Sequence, residues 1–208
     1  MYEFIDDIIE TKLSKTNIIV GFIEDVSKYL EALGMEVPNA LNIPPELISY
    51  AGREIRYMSM SEFKQDTRVP VFVKPNGRNK EFSGVGVLTR LETKACFQDV
   101  PDDTPVLVSE VVDFVSEYRC YVIEKKLIGI INYRGDIRVF PDVSIIDKAI
   151  EDYTSQPAGY SLDFGITSDG RTLLVECQDG WSLANYGISD VDYSRLLSAR
   201  WLQLVGIR

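Results

Sequence analysis

Apolar positions in this chain come in short runs whose spacing switches repeatedly between period two and the three-to-four spacing of a helix, which predicts a mixture of strands and helices. After Asn17, the run Ile18-Ile19-Val20-Gly21-Phe22-Ile23 predicts a buried strand, followed by a helix over 24–33 that Gly34 stops. Pro38, Pro44 and Pro45 mark a connecting loop, with a short helix over 45–50 opening at the last of them and a further strand over 54–58. Val69-Pro70-Val71-Phe72-Val73 predicts a strand running into Lys74-Pro75-Asn76-Gly77, where Pro and Gly break it. A loop over 78–84, a strand over 85–89, a helix over 91–97 and a strand over 106–112 follow. Two β-rich runs, 117–124 and 127–134, are separated by Lys125-Lys126 and predict an antiparallel hairpin in which Glu117 faces Arg134 and Arg119 faces Asn132. Helical spacing over 142–153 and 190–204 completes the reading, with no internal repeat.

The clearest local signal lies between Tyr160 and Cys177. Strands over 161–167 and 172–176 flank Asp169-Gly170, a preferred two-residue hairpin turn. With that turn Ser168 faces Arg171, and counting back places Asp163 opposite Glu176 on one face, with Leu162, Phe164, Ile166, Leu173, Val175 and Cys177 on the other. Opposed carboxylates about 5 Å apart repel unless something positive lies between them, and a divalent cation is the simplest remedy. Hard oxygen ligands at this spacing suit Mg²⁺, whose octahedron phosphates and water complete. Exposure of both acids on an edge hairpin fits the spacing equally well.

Composition narrows the chemistry. The 208 residues are 45% hydrophobic and 26% charged, the range of an ordinary globular chain, and the length fits one domain or two joined lobes. There is no histidine, which removes Ser-His-Asp and Cys-His catalysis and leaves carboxylates, lysines and arginines. A formal charge of −10 opposes nonspecific attraction to nucleic acid or anionic membrane, and no apolar run is long enough to cross a bilayer. The acidic opening MYEFIDDIIETK does not read as a secretory signal, and Cys96, Cys120 and Cys177, in apolar strand-like contexts, read as buried reduced thiols, so the expected location is cytoplasmic.

Lys74 ends a strand before a rigid proline, where its amine suits a phosphate, and residues 76–86 combine Lys80 with Gly77, Gly84 and Gly86, a composition able to fold over an anion. Those glycines match neither the P-loop nor the dinucleotide fingerprint, and a plain surface loop fits them as well. Arg119 suits either a phosphate clamp or an ion pair with Glu117. Glu110-Val111-Val112-Asp113, at the end of an apolar strand, has the form of a hinge with carboxylates available for ribose hydroxyls.

Taken in order, Val-Phe-Val-Lys74-Pro, the Lys80 loop, Ser-Glu110-Val-Val, Glu117-Tyr-Arg119, Leu-Asp163-Phe-Gly and Leu-Val-Glu176-Cys-Gln178-Asp179-Gly resemble the ATP-grasp superfamily, and within it the small clade described by one arginine and two lysines. The resemblance spans about residues 69–186. It implies an α+β fold in which two lobes with antiparallel sheets grip ATP, preceded by a reduced N-terminal α/β lobe, with a division into residues 1–68 and 69–208. It further implies Lys74 and Lys80 on phosphates, Arg119 beside them, Glu110, Val111, Val112 and Asp113 beside adenine and ribose, and Asp163 and Glu176 on magnesium. The family's last metal strand carries Asn two residues after its acid; this chain has Gln178 there. The implied reaction is ADP-forming ligation of a small-molecule or peptide carboxylate to an amine through an acylphosphate. An ATP-dependent phosphotransferase and a non-catalytic nucleotide-binding module are the alternatives. Asn185 and Tyr186 are candidates for the acceptor side, whose identity, like the oligomeric state, the sequence leaves open.

Overall fold

Alternation of apolar and polar residues builds two antiparallel sheets of four strands, one in each half of the molecule. The computed structural model describes residues 12–77 and 81–207. It begins with helix α1 (Ile23–Ala32), which Gly34 terminates at a φ of +72°, and a 3₁₀ turn at Pro45–Ala51. The first sheet takes β1 (Ile55–Ser59), β2 (Val71–Pro75), β3 (Val85–Val87) and β4 (Pro105–Ser109) in the order β1-β4-β2-β3. Helices α2 (Met60–Gln65) and α3 (Arg90–Phe97) cover its outer face, so that Val71, Val73, Val87, Val106 and Val108 pack with Met60, Phe63 and Phe97. Phe72 and Lys74, alternating with those valines, face the other way.

Helix α2 is absent from the sequence reading, yet Ser59 and Glu62 form a full capping box: the Ser59 hydroxyl accepts from Glu62 N–H and the Glu62 carboxylate accepts from Ser59 N–H. The expected division at residue 68 runs through this sheet, because β1 pairs along its length with β4.

The second sheet contains β5 (Phe114–Ile123) and β6 (Lys126–Gly135), then, beyond helix α4 (Val143–Asp152), β7 (Gly159–Thr167) and β8 (Thr172–Asp179), in the order β6-β5-β7-β8. Cys120, Val122, Leu162, Phe164, Leu174 and Cys177 bury against α4 and the 3₁₀ turn. Tyr121 faces the opposite side and packs with Leu183, Ile188 and Leu196 of the closing segment and α5 (Asp190–Leu204).

The expected strand over 18–23 is not formed: Val20 and Phe22 are exposed and α1 already begins at Ile23. Instead α1 buries Val26, Tyr29 and Leu30 against Trp201 and Val205, tying the start of the described chain to its last helix. Behind it, Asn42 forms an isolated bridge with Cys177, whose N–H donates to the Asn42 carbonyl along the free edge of β8.

Helix α5 lies so close to β7 that a β-carbon on Gly159 would stand 2.5 Å from the Leu196 carbonyl oxygen. Backbone cannot give way as a side chain does, so Gly159→Ala should cost at least about 1–3 kcal/mol in urea denaturation, whereas Gly21→Ala, with open space around it, should change stability by less than about 0.5 kcal/mol.

Candidate active site

Three neighbouring strands carry one row of charge across the cleft-facing side of the second sheet: Arg119 on β5 pairs with Asp163 on β7, and Asp163 pairs with Glu176 on β8. The expected opposition of the two acids is present, although the route to it differs from the simple count. The hairpin closes through the three residues Ser168-Asp169-Gly170, with Gly170 at φ +86° and Thr167 N–H donating to the Arg171 carbonyl. That shifts Phe164 onto Leu174; an extra residue, Val175, then bulges from β8 and restores Asp163 to Glu176. Leu174 therefore occupies the core place expected for Val175, which turns toward the cleft instead.

The β5–β6 hairpin is corrected in the same manner. Its turn is Glu124-Lys125, with both residues at positive φ, one residue earlier than the expected Lys125-Lys126. Two register shifts follow, so Glu117 faces Arg134 as expected while Arg119 faces Ile131 and Asn132 faces Tyr118. The second shift leaves Tyr133 unpaired and lets its hydroxyl donate to the Glu117 carboxylate at 2.7 Å.

Arg119 grips Asp163 with two parallel bonds, Nε to Oδ1 at 2.9 Å and Nη2 to Oδ2 at 2.7 Å, and both side chains are at most 3% exposed. The Tyr186 ring stacks on the guanidinium at 4.3 Å and on Tyr133 at 5.2 Å, while the Ala184 carbonyl accepts from Arg119 and from the Tyr121 hydroxyl. Burial pushes Asp163 up to about 6, reinforced by the Glu176 charge opposite and opposed by Arg119. Burial alone would lower Arg119; the Asp163 carboxylate outweighs it and the guanidinium is held above its ordinary value.

Glu176 meets its cation from the other sheet. Lys74 crosses the cleft to bond it at 2.7 Å, and the Gln178 amide donates to its second oxygen. Burial raises the Glu176 carboxyl, but Lys74 and the Gln178 bond outweigh that and hold it below its ordinary value. The mutual repulsion of the two acids is thus balanced by one side-chain cation each.

Two cavities meet at this lysine. One, of about 220 Å³, is walled by Phe72, Leu107, Glu110, Val111, Val112 and Phe114. The other, of about 290 Å³, opens on the Gln178 side. Asp113 lines neither cavity, and the Glu110 carboxylate accepts from Glu54 N–H at 2.9 Å. Lys80 lies outside the described residues. Arg53, unremarked in the sequence, donates to the Leu174 and Val175 carbonyls and so holds the β8 bulge while bordering the first cavity. No local pattern marks it, since the two β8 carbonyls it reaches lie far along the chain and its one near partner is the Ala51 backbone oxygen. Among the described residues no cluster of three His, Cys, Asp or Glu side chains gathers, and no helix is long and apolar enough to span a membrane.

The profile of an ATP-grasp domain family, the second family of the clade named for one arginine and two lysines, matches residues 50–196. The chain belongs to this ATP-grasp family. Among solved structures, it is similar to the ADP complex of the purK N5-carboxyaminoimidazole ribonucleotide synthetase, at 11% identity and a TM-score of 0.53 over 86% of this chain and 51% of that one. It is also similar to the ATP-grasp ligase PsnB, at 13% identity and a TM-score of 0.51 over 76% of this chain and 60% of that one. A D-alanine–D-alanine ligase from Bacillus anthracis aligns at 14% identity and a TM-score of 0.49, over 89% and 66%. The ATP-grasp chain spans about half to two thirds of the length of these structures, and the likeness to the first two is one of fold. No curated protein sequence matches it.

Two variants probe the charge row of this ATP-grasp site. Arg119→Met strands a buried carboxylate and should cost about 3–5 kcal/mol in denaturation. Glu176 is held below its ordinary 4.5, so its contribution is complete above that pH and fades as pH falls through the lowered value. Glu176→Gln should therefore be less stable than wild type by about 1–3 kcal/mol at pH 7, with the gap closing below pH 4 in melts taken across the range.

Proposed function

We propose that this chain is an ATP-dependent ligase that joins a carboxylate to an amine through an acylphosphate. The observation that carries the reading is the Lys74–Glu176 ion pair, which closes the cleft between the two sheets where both cavities meet. In this reading ATP occupies the cavity beside Glu110, Val111 and Val112, with its phosphates directed to Lys74, Lys80 and Arg119. Phe72 and Phe114 supply apolar walls for a flat base, and a β-carbon on Gly165 would collide with the Phe114 ring, which ties that wall to β7.

The donor set fits magnesium: two cross-strand carboxylates and a nearby amide are all hard oxygen ligands, and phosphates complete such a shell. Asp163, Glu176 and the Gln178 carbonyl would hold the ion, which supplies charge neutralisation at the phosphates. Each donor is now engaged, Asp163 by Arg119, and Glu176 by Lys74 and Gln178. Nucleotide binding exchanges partners: the cations turn to phosphate oxygens and the carboxylates are released. The charge row is ready-made for that exchange, since its cations and anions are already matched.

The chemistry then asks little covalent work of the protein, as a histidine-free site requires. A carboxylate oxygen attacks the γ-phosphorus, the bond to the β,γ-bridging oxygen breaks, and ADP leaves. The amine nitrogen attacks the acyl carbon of the resulting acylphosphate, inorganic phosphate departs with the bonding pair, and the nitrogen loses a proton to solvent. Lys74 and Arg119 hold the phosphoryl oxygens and oppose the growing charge.

Calorimetry with Mg·ATP and product analysis with pooled carboxylates and amines test the reading. Saturable binding is expected, with ADP and phosphate rather than AMP and pyrophosphate as products, and Glu176→Gln should lower turnover by roughly a hundredfold or more. A folded protein that binds no Mg·ATP at millimolar concentration contradicts it. A stable phosphorylated product without a new amide would reassign the chain to phosphotransfer.

A further inference from the structure

One hydroxyl beside the charge row has nothing to bond. Ser161 is fully buried on β7, and its Oγ meets no hydrogen-bond partner among the described residues. The position is an inner one: β7 is flanked by β5 and β8, and α5 covers the same face, where the Leu196 carbonyl approaches Gly159. A buried hydroxyl without a partner destabilises a fold, and alanine would fill the same place without that cost. A second state of the site, in which the hydroxyl is used, would account for the serine.

Register narrows the partner. Alternation puts Ser161 on the face of Asp163, two residues before it, and the ladders place it opposite Tyr121 on β5 and Gln178 on β8. The Tyr121 hydroxyl is already satisfied, accepting from the Tyr186 N–H and donating to the Ala184 carbonyl, both at 3.0 Å. Asp163 gives both oxygens to Arg119. Gln178 differs from both: its amide nitrogen is a donor turned along β8 to the Glu176 carboxylate. Directly opposed residues have β-carbons about 5 Å apart, so a glutamine amide on one strand and a serine hydroxyl on the other come within reach once the amide turns.

That donor cannot keep its place when Glu176 and the Gln178 carbonyl serve one ion. The amide nitrogen and oxygen share a carbon, so presenting the oxygen to the ion swings the nitrogen off Glu176 and leaves its N–H groups to be met elsewhere. We infer that Ser161 is a positioning residue for this site, its hydroxyl accepting from the Gln178 amide nitrogen in the loaded state and holding the Gln178 carbonyl toward magnesium. The inference rests on the magnesium assignment proposed above and adds to it a residue that assignment does not use. One rotation of the Gln178 amide then explains why the hydroxyl is idle in the free chain and what engages it afterwards. Metal ligands commonly owe their orientation to an outer partner of this kind.

Ser161→Ala in the whole chain tests it, by calorimetry with a non-hydrolysable ATP analogue, once with excess Mg²⁺ and once in EDTA. The variant should weaken binding of the magnesium complex roughly tenfold and leave the Kd in EDTA unchanged, since losing an outer partner typically costs about ten- to a hundredfold in metal affinity. In a Gln178→Ala background the same substitution should change neither value. The urea midpoint of the free chain should hold or rise, because alanine removes only an unmet hydroxyl. Equal affinity of wild type and Ser161→Ala for the magnesium complex overturns the assignment and leaves the magnesium reading intact. A wild type that binds no analogue, or binds it equally with and without Mg²⁺, overturns the magnesium reading and the role of Ser161 with it. An equal loss in EDTA, a loss that persists in the Gln178→Ala background, or a lowered urea midpoint would each mark Ser161 as merely structural and overturn the assignment as well.

Discussion

The buried two-pronged bond between Arg119 and Asp163 is the constraint around which the second sheet is arranged. Neither partner can be buried alone, because an unpaired charge at that depth costs several kcal/mol, so the pairing fixes the register of β5 against β7. It also fixes what lies above. The Ala184 carbonyl and the Tyr186 ring both rest on Arg119, and the Tyr186 N–H donates to the Tyr121 hydroxyl, so the segment after β8 folds back over the row rather than into solvent. From Asp163 the charge continues to Glu176 and across the cleft to Lys74, adding a polar link between two sheets that also share apolar contact where Leu107 of β4 packs into the core of the second sheet.

Bulges make this arrangement possible. A regular β8 after the three-residue turn would bring Asp163 opposite Val175 and swing Glu176 onto the apolar face. The extra residue corrects the register, and Arg53 secures it by holding the carbonyls of Leu174 and Val175. On β6 the corresponding irregularity frees Tyr133 to stand beside Arg119 and bond Glu117, where burial and the neighbouring carboxylates push its phenol pKa up and keep it a neutral donor.

Much of this was legible in the residues themselves. Alternation located β2, the β7–β8 hairpin and the opposition of Asp163 to Glu176, and helical spacing located α4 and α5. The acids were correctly opposed because two departures from regularity cancelled, which no count of alternating positions can anticipate. Lys74 meets Glu176, and Arg53 the β8 carbonyls, more than a hundred residues away in sequence, so only the folded chain shows these contacts. Residues 18–23 read as a strand because apolar runs resemble one another whether or not they join a ladder; these join neither sheet, and the exposed Phe22 records it. The ion pair of Arg119 with Glu117 that the sequence allows is not formed, since its carboxylate partner is Asp163 on the neighbouring strand.

The functional account turns on an exchange of partners at Lys74, from Glu176 in the free chain to phosphate when nucleotide is bound. The side-chain ¹⁵N resonance of the Lys74 ammonium, assigned by its loss in Lys74→Arg, reports that exchange directly. In the free protein Glu176→Gln should move this resonance, and in wild type Mg·ATP should move it saturably, with the same midpoint that calorimetry gives for binding. A Lys74 resonance that responds to neither the variant nor saturating Mg·ATP, in a protein that binds the nucleotide, would contradict the account.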